Sequence, residues 1–110
     1  MLRNHLIDIA QGIGTTYTGS AIAVDKAVDG FAVQAVISSG SSPVGTLKMQ
    51  ASLDPTAPTN WGDIPDTVTA VSADGTTIWS FEKSHFTWVR VVYTRTSGSG
   101  TLNTRINENA

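Results

Sequence analysis

The stretch HFTWVRVVYTRTSGSGTLNTRI, residues 85–106, lacks the alternation of apolar and polar side chains that a strand with one solvent-facing side should show. Two sets of side chains alternate along its first half, one with Phe86, Trp88, Arg90 and Val92 and the other with Thr87, Val89, Val91 and Tyr93. Both sets are suited to burial. A chain this short has room for one core, so one set faces that core and something else must cover the other.

Two covers for the second face stay open on the sequence alone. A loop or the N-terminal segment of the same chain could lie over it, because strands at the centre of a fold are buried on both faces. Alternatively, a neighbouring subunit covers it. Arg90 stands between Trp88 and Val92, and Arg and Trp are enriched at the centres of interfaces. These three residues are therefore predicted interface residues.

The composition and the spacing of turn signals predict an all-β fold. Of the 110 residues, 40% are hydrophobic and only 15% are charged, so much of the polar surface must come from Ser, Thr, Asn and Gly. Turn residues recur every 8–12 residues, which is typical of sandwiches and barrels. The predicted strands are 20–25, 30–38, 45–53, 61–65, 67–72, 76–81, 85–96 and 100–107. We expect a single antiparallel β-sandwich of jelly-roll type.

Gly, Pro and Asp residues mark four predicted connections between strands. SGSSPVG, residues 39–45, predicts a loop, and DPTAPTN, residues 54–60, predicts a surface loop because proline cannot donate to a ladder. Ala73-Asp74-Gly75 predicts a hairpin between its flanking strands. The SGSG at 97–100 predicts a second hairpin, which joins strand 85–96 to strand 100–107.

The first 19 residues differ from the rest, and we predict an extended N-terminal arm at 1–19 followed by the sandwich domain at 20–110. Glycines interrupt the arm, and neither the helical nor the strand period holds for long. Its apolar side chains are too many for a free tail. We therefore expect the arm to order on a partner through Leu6, Ile7, Ile9 and Ile13.

Several partner classes are excluded by charge and hydropathy. The net charge is −2, and the seven Lys and Arg residues are dispersed, which argues against nucleic acid because binding needs a basic patch. No apolar run approaches the ~20 residues of a membrane span, and the start of the chain lacks a secretory signal. We expect synthesis in a cytoplasm.

Catalytic and metal-binding patterns are also missing from the sequence. The chain has no Cys, and His5 and His85 are too few for a metal site. Most Asp residues stand in turns, no Ser lies in a G-x-S-x-G elbow, and Gly12-Ile13-Gly14 lacks the context of a phosphate loop. We predict no catalytic residues, no metal and no cofactor, and hence a protein that is not an enzyme.

Three tryptophans, Trp61, Trp79 and Trp88, leave one alternative open. Aromatic side chains usually fill cores or their rims. An exposed aromatic platform would instead stack on sugar rings and make the protein a carbohydrate-binding module.

GTLKMQASLDP (45–55), the segment from Trp61 to Ile64, and WVRVVYTRTSGSGTLNTRIN (88–107) resemble small β-sandwich structural proteins encoded by tailed bacteriophages. The resemblance extends from about residue 20 to residue 107. Such proteins are virion components, often capsid decoration or minor structural subunits, and have no catalytic residues to carry over.

The resemblance implies a non-enzymatic virion protein, in particular a decoration or cement protein on the head shell. Its partners would be the major capsid protein or other virion proteins, and its location would be the virion, after synthesis in the bacterial host cytoplasm. Few charges and surplus apolar strand surface favour a homo-oligomer. We expect a trimer, because three-fold positions on icosahedral shells are common docking points.

Overall fold

The computed structural model describes residues 2–24, 30–82 and 86–109, with side chains described for 11–24, 30–82 and 86–108. These ranges hold strands and no helix, so the all-β prediction is confirmed. The strands are β1 (Leu2–Gly12), β2 (Tyr17–Thr18), β3 (Ile22–Ala23), β4 (Gly30–Ser52), β5 (Gly62–Asp63), β6 (Thr69–Val71), β7 (Gly75–Glu82) and β8 (Trp88–Asn109).

Two unusually long strands form the centre of the sheet. Strand β4 pairs antiparallel with β8 along its whole length, from Gly30 opposite Asn109 to Ser52 opposite Trp88. On the far side of β8 lie β1, β2 and β3, and on the far side of β4 lie β5, β6 and β7. Every one of these pairings is antiparallel.

Both long strands bend at their middle, where Ser41 of β4 lies opposite Ser99 of β8. The ladder shifts register three times between Ser38 and Gly45. Positive φ angles occur here at Ser39 (52°), Ser42 (48°) and Gly98 (78°). The predicted loop at 39–45 and the predicted hairpin at 97–100 are therefore wrong: the Ser and Gly residues supply unusual backbone angles, but they bend the strands instead of reversing them.

The bend divides the sheet into two half-sheets. The first half-sheet contains β1, residues 101–109 of β8, residues 30–38 of β4, and β7. The second half-sheet contains β2, β3, residues 88–95 of β8, residues 44–52 of β4, β5 and β6.

Strands β6 and β7 do not form the hairpin predicted at Ala73-Asp74-Gly75. Val71 pairs with Gly45 and Gly75 pairs with Ile37, so both strands run antiparallel to β4 on successive segments of it. The turn between them carries the chain from one half-sheet to the other. A carboxylate oxygen of Asp74 accepts a hydrogen bond from the Gly40 N–H at 3.3 Å, which links this turn to the bend in β4.

One hydrophobic core draws on both half-sheets. The first contributes side chains such as Val33, Ala35 and Ile106, and the second contributes Met49 and Val91, each with no exposed surface. The alternation within each half is regular, because odd positions of β4 point inward along 31–37 and again at 47 and 49.

Thr67 and Trp79 tie the half-sheets together within this core. The Thr67 hydroxyl accepts a hydrogen bond from the Met49 N–H at 3.1 Å and donates to the Ile64 carbonyl at 2.8 Å. The Thr67 carbonyl accepts a bond from the indole N–H of Trp79 at 2.9 Å. Trp79 belongs to β7 of the first half-sheet, whereas Met49 belongs to the second.

The segment predicted as an arm is part of the sheet. Residues 2–12 form β1, whose pairing with β8 starts at Leu2 opposite Asn109 and ends at Gly12 opposite Thr101, with two register shifts. The chain then follows β8 further, through β2 and β3. The apolar residues at the start of the chain therefore belong to an edge strand of the chain's own sheet. The prediction of an arm outside the sheet is wrong for these residues.

Candidate interaction surfaces

The outer face of β8 in the second half-sheet is covered by the loop at 54–61. The indole N–H of Trp88 donates to the carbonyl of Asp54 at 3.0 Å. The guanidinium carbon of Arg90 lies 4.1 Å from the centre of the Trp61 ring, which is cation–π distance. Trp88 and Arg90 are thus covered within the chain, by the proline-containing loop.

This loop is held in shape by Asp54. Its Oδ2 accepts hydrogen bonds from the backbone N–H groups of Thr59 at 2.8 Å and Asn60 at 3.0 Å, and its own N–H donates to the Ser52 hydroxyl at 3.2 Å. The hydrogen bonds from Asn60 and Thr59 lower the pKa of Asp54 to about 2, because they favour the charged carboxylate. The hydrogen bonds within the loop therefore favour the ionised form of Asp54.

A row of polar side chains extends from the loop across the same face. Arg90 Nε donates to Gln50 Oε1 at 2.8 Å, and Gln50 Nε2 donates to Asp63 Oδ1 at 2.9 Å. Lys48 Nζ lies 3.1 Å from the same Asp63 oxygen. The hydrogen bond from Gln50, followed by that from Lys48, lowers the pKa of Asp63, and partial burial lowers that of Arg90. The row is a surface network in which neutral Gln50 and the Asp63 carboxylate connect Arg90 to Lys48.

The seven predicted interface residues occupy different environments. Trp88 and Arg90 are half-buried beneath the loop, and Val92 is 7% exposed between Thr18 of β2 and Lys48 of β4. Ile13 has no exposed surface, because it fills the chain's own core, and its N–H donates to the Gly100 carbonyl at 3.1 Å. The structure thus corrects its assignment to an interface. The prediction for Leu6, Ile7 and Ile9 concerns side chains outside the described ones.

Large apolar side chains are exposed elsewhere, at positions the sequence reasoning did not select. Leu53 is 70% exposed at the end of β4, Val68 is 63% exposed before β6, and Ile78 is 63% exposed in the middle of β7. One signal for Ile78 was present in the sequence. It is adjacent to Trp79 in an uncharged strand, so the two side chains point to opposite faces, and in the structure Trp79 takes the core side.

The tryptophans do not form a common platform. Trp79 is buried and hydrogen-bonded to Thr67, and Trp88 donates its indole N–H to the loop. Trp61 is half-buried, and Arg90 covers one of its ring faces. Stacking of a sugar on Trp61 would have to use its other face.

Metal and membrane patterns were also sought. Within the described ranges, no group of three or more His, Cys, Asp or Glu side chains could hold a metal ion. In the same part of the chain no helix has the length and apolar character needed to cross a membrane. His85 lies outside the described residues, as does the side chain of His5, and the absence of catalysis stays a prediction.

No known protein family and no curated protein sequence matches the chain. Among solved structures, the chain is similar to the SPBc2 prophage-derived protein YomS, with a TM-score of 0.61, 14% identity, and 97% of this chain and 95% of that chain covered. A second structure, of Bacillus endospore appendages that form a family of disulfide-linked pili, gives a TM-score of 0.39 at 13% identity, over 99% of this chain and 83% of that one. The first likeness shows a shared fold, and the second is too low to carry an argument.

Proposed function

We propose that this chain is a non-enzymatic structural component of a bacteriophage virion, and in particular a decoration or cement protein of the head shell. The observation that carries the proposal is the fold it shares with a prophage-derived protein over 97% of its length. The sequence resemblance to phage structural proteins at 45–55 and 88–107 supports the same assignment.

We further propose that the folded sheet is a jelly-roll sandwich. If each long strand is counted as two, the chain has eight segments in sequence order: β1, β2 with β3, the two parts of β4, β5 with β6, β7, and the two parts of β8. The first half-sheet then has the segment order 1-8-3-6 and the second 2-7-4-5. This is the order that results from rolling one long antiparallel ribbon into two layers, and a single core with contributions from both halves supports it.

We propose that contact with the major capsid protein uses the second half-sheet. Leu53 and Val68 are the most exposed large apolar side chains there, with Val44 less exposed at 38%, and both lie on the margin of this half-sheet. Trp88 and Arg90 adjoin it through the loop that covers them, and an Arg–aromatic pair beside apolar side chains is a composition that interfaces favour. The protein would be made in the host cytoplasm and then join the virion, as a homo-oligomer.

The experiment compares phage heads that lack this protein with heads to which purified protein is added back. Heads without it should release DNA at lower temperature or lower salt, and added protein should restore their resistance. A Leu53→Asp, Val68→Asp double variant should fold but restore less, whereas Thr96→Asp, at an exposed position of β8 outside the second half-sheet, should restore fully. Heads of unchanged resistance with lost adsorption to cells would contradict the cement role and favour the carbohydrate-binding alternative.

A further inference from the structure

Strand β7 presents a regular edge that no other described strand of the chain pairs with. Eight successive residues pair with β4 without a register shift, from Glu82 opposite Gly30 to Gly75 opposite Ile37. Among the described strands, β4 is the one that pairs with β7. The other side of β7 therefore carries a row of backbone N–H and C=O groups that can accept a further strand.

The other edges of the sheet are protected in ways that β7 is not. Strand β1 has two register shifts and carries Arg3 and Asp8. Strands β2, β3 and β5 have two residues each, and β6 has three. Irregularity, charge and shortness are the usual means by which edges avoid pairing with other chains. From Gly75 to Phe81, β7 has no charged residue, no proline and no irregularity.

The side chains of β7 favour a partner strand as well. Thr76, Ile78 and Ser80 lie on one face and are exposed, and Ile78 is 63% exposed at the middle of the strand. An apolar side chain at the centre of an edge strand contributes most to sheet stability when a cross-strand neighbour packs beside it.

We propose that β7 is a docking edge for a second copy of this chain, whose own β7 pairs with it in antiparallel orientation about a two-fold axis. The strongest register places Ile78 opposite Ile78, Thr76 opposite Ser80, and Gly75 opposite Phe81. This register pairs the uncharged residues 75–81 with one another. In this register Glu82 of each copy lies just beyond the ladder, opposite the turn residue Asp74 of the other copy, whose carboxylate accepts the Gly40 N–H within its own chain; a parallel arrangement would instead place the two Glu82 side chains next to each other.

The consequence is a continuous sheet in which the first half-sheets of two copies join at β7. Identical surfaces meet in such a contact, so it closes as a dimer. The trimer expected from the sequence would need a different surface. This inference does not depend on a role in the virion.

The first experiment uses sedimentation velocity on the full chain with charge variants at the centre of the edge. Ile78→Lys and Ile78→Glu should each weaken self-association at least about tenfold, because like charges would meet across the axis. Their equimolar mixture should associate again. Thr94→Lys, at an exposed position of β8, should self-associate like the unmodified chain. A monomeric wild-type chain, an unaffected Ile78→Lys, a mixture that does not associate, or an equal loss in Thr94→Lys would each overturn the proposal.

A second experiment covers the case in which the charged variants do not fold. The chain has no cysteine, so Ile78→Cys introduces a single thiol. Directly opposite residues of antiparallel strands have Cα atoms ~4.5–5.5 Å apart, which a disulfide can span. Mild oxidation should cross-link Ile78→Cys to itself, whereas Thr76→Cys should cross-link only when mixed with Ser80→Cys. A Thr76→Cys that links to itself as readily as Ile78→Cys would refute the register and the edge contact with it.

Discussion

Replacing Gly98 by alanine tests whether the bend in the two long strands is a fixed part of the fold. A Cβ at this position would overlap with the Ser42 carbonyl oxygen and lie 2.6 Å from its carbon and 2.7 Å from the Ser41 oxygen. All three contacts are with backbone atoms of the facing bend in β4, so no side chain can rotate away. Gly98 also has a φ of +78°.

The cost of this change has two parts. A left-handed φ costs an alanine roughly 1–2 kcal/mol relative to glycine. Forcing extra volume into a closely packed site costs typically about 1–3 kcal/mol. We therefore expect Gly98→Ala to lower the free energy of unfolding by about 2–5 kcal/mol, a large share of the ~5–15 kcal/mol that stabilises a typical domain.

Urea denaturation followed by tryptophan fluorescence measures this difference, with the slope of the transition checked for constancy. Gly62→Ala is the matched control, because a Cβ there meets nothing within 4 Å; its change should stay within about 0.5 kcal/mol of zero or be slightly stabilising. Gly98→Asn separates the two parts, since asparagine tolerates a left-handed φ but carries the same Cβ. If Gly98→Ala matched Gly62→Ala, the bend would not be held as described, and the reasoning would fail.

Three further changes test the core and the loop. Thr67→Val should cost about 1–3 kcal/mol, because the buried Met49 N–H loses its hydroxyl acceptor, whereas Thr94→Val, at an exposed position, should stay near zero; urea midpoints compare them. The hydroxyl of Tyr93 is buried and lacks a hydrogen-bond partner among the described residues, and burial raises its pKa. Tyr93→Phe should therefore leave thermal stability unchanged or higher, and a lower Tm at neutral pH would contradict this. Because the neutral form is favoured in the folded chain, the unmodified chain should lose stability as the pH rises above 10, and Tyr93→Phe should abolish that loss. Because the pKa of Asp54 is lowered to about 2, the stability its ionised form provides should be full above pH 3.8 and disappear as the pH falls towards 2. The difference in urea midpoint between the unmodified chain and Asp54→Ala should shrink over that interval, and a difference independent of pH would refute the role of the charge.

Strand positions could be predicted from the sequence wherever one side of the sheet faces the core. Phe31, Val33, Ala35 and Ile37 alternate with half-buried residues in β4, as the period of two requires. The loop at 54–60 was also predictable, because its prolines exclude it from a ladder. Local chemistry alone decides both features.

The connections could not be predicted, because they depend on residues distant in sequence. Asp74-Gly75 has the composition of a hairpin turn, yet the strands beside it pair with β4 and not with each other. Both strands pair with β4 because β4 is long enough to hold them on two successive segments. Arg90 was similarly predicted to be an interface residue, because its intrachain partners are far away in sequence: Trp61 is 29 positions and Gln50 is 40 positions from it.

The two Ser/Gly stretches at 39–45 and 97–100 show why a bend and a turn have the same local signature. A bend and a turn both need residues that accept positive φ, and the residues within either stretch do not determine whether the chain reverses direction. The distinguishing information lies in their pairing: Ser41 meets Ser99 and Val44 meets Ser97, so each irregular stretch faces the other across the ladder. A hairpin turn needs no partner of this kind, whereas a bend in a paired strand needs one, since an irregular strand cannot stay in register with a straight neighbour. A bent pair of strands is therefore indicated when two long apolar-patterned segments each have a Ser/Gly interruption at their middle. The interruptions must also lie opposite each other when the two segments pair antiparallel. Shifting one interruption by two residues should consequently destabilise the fold more than lengthening a true turn by two residues would.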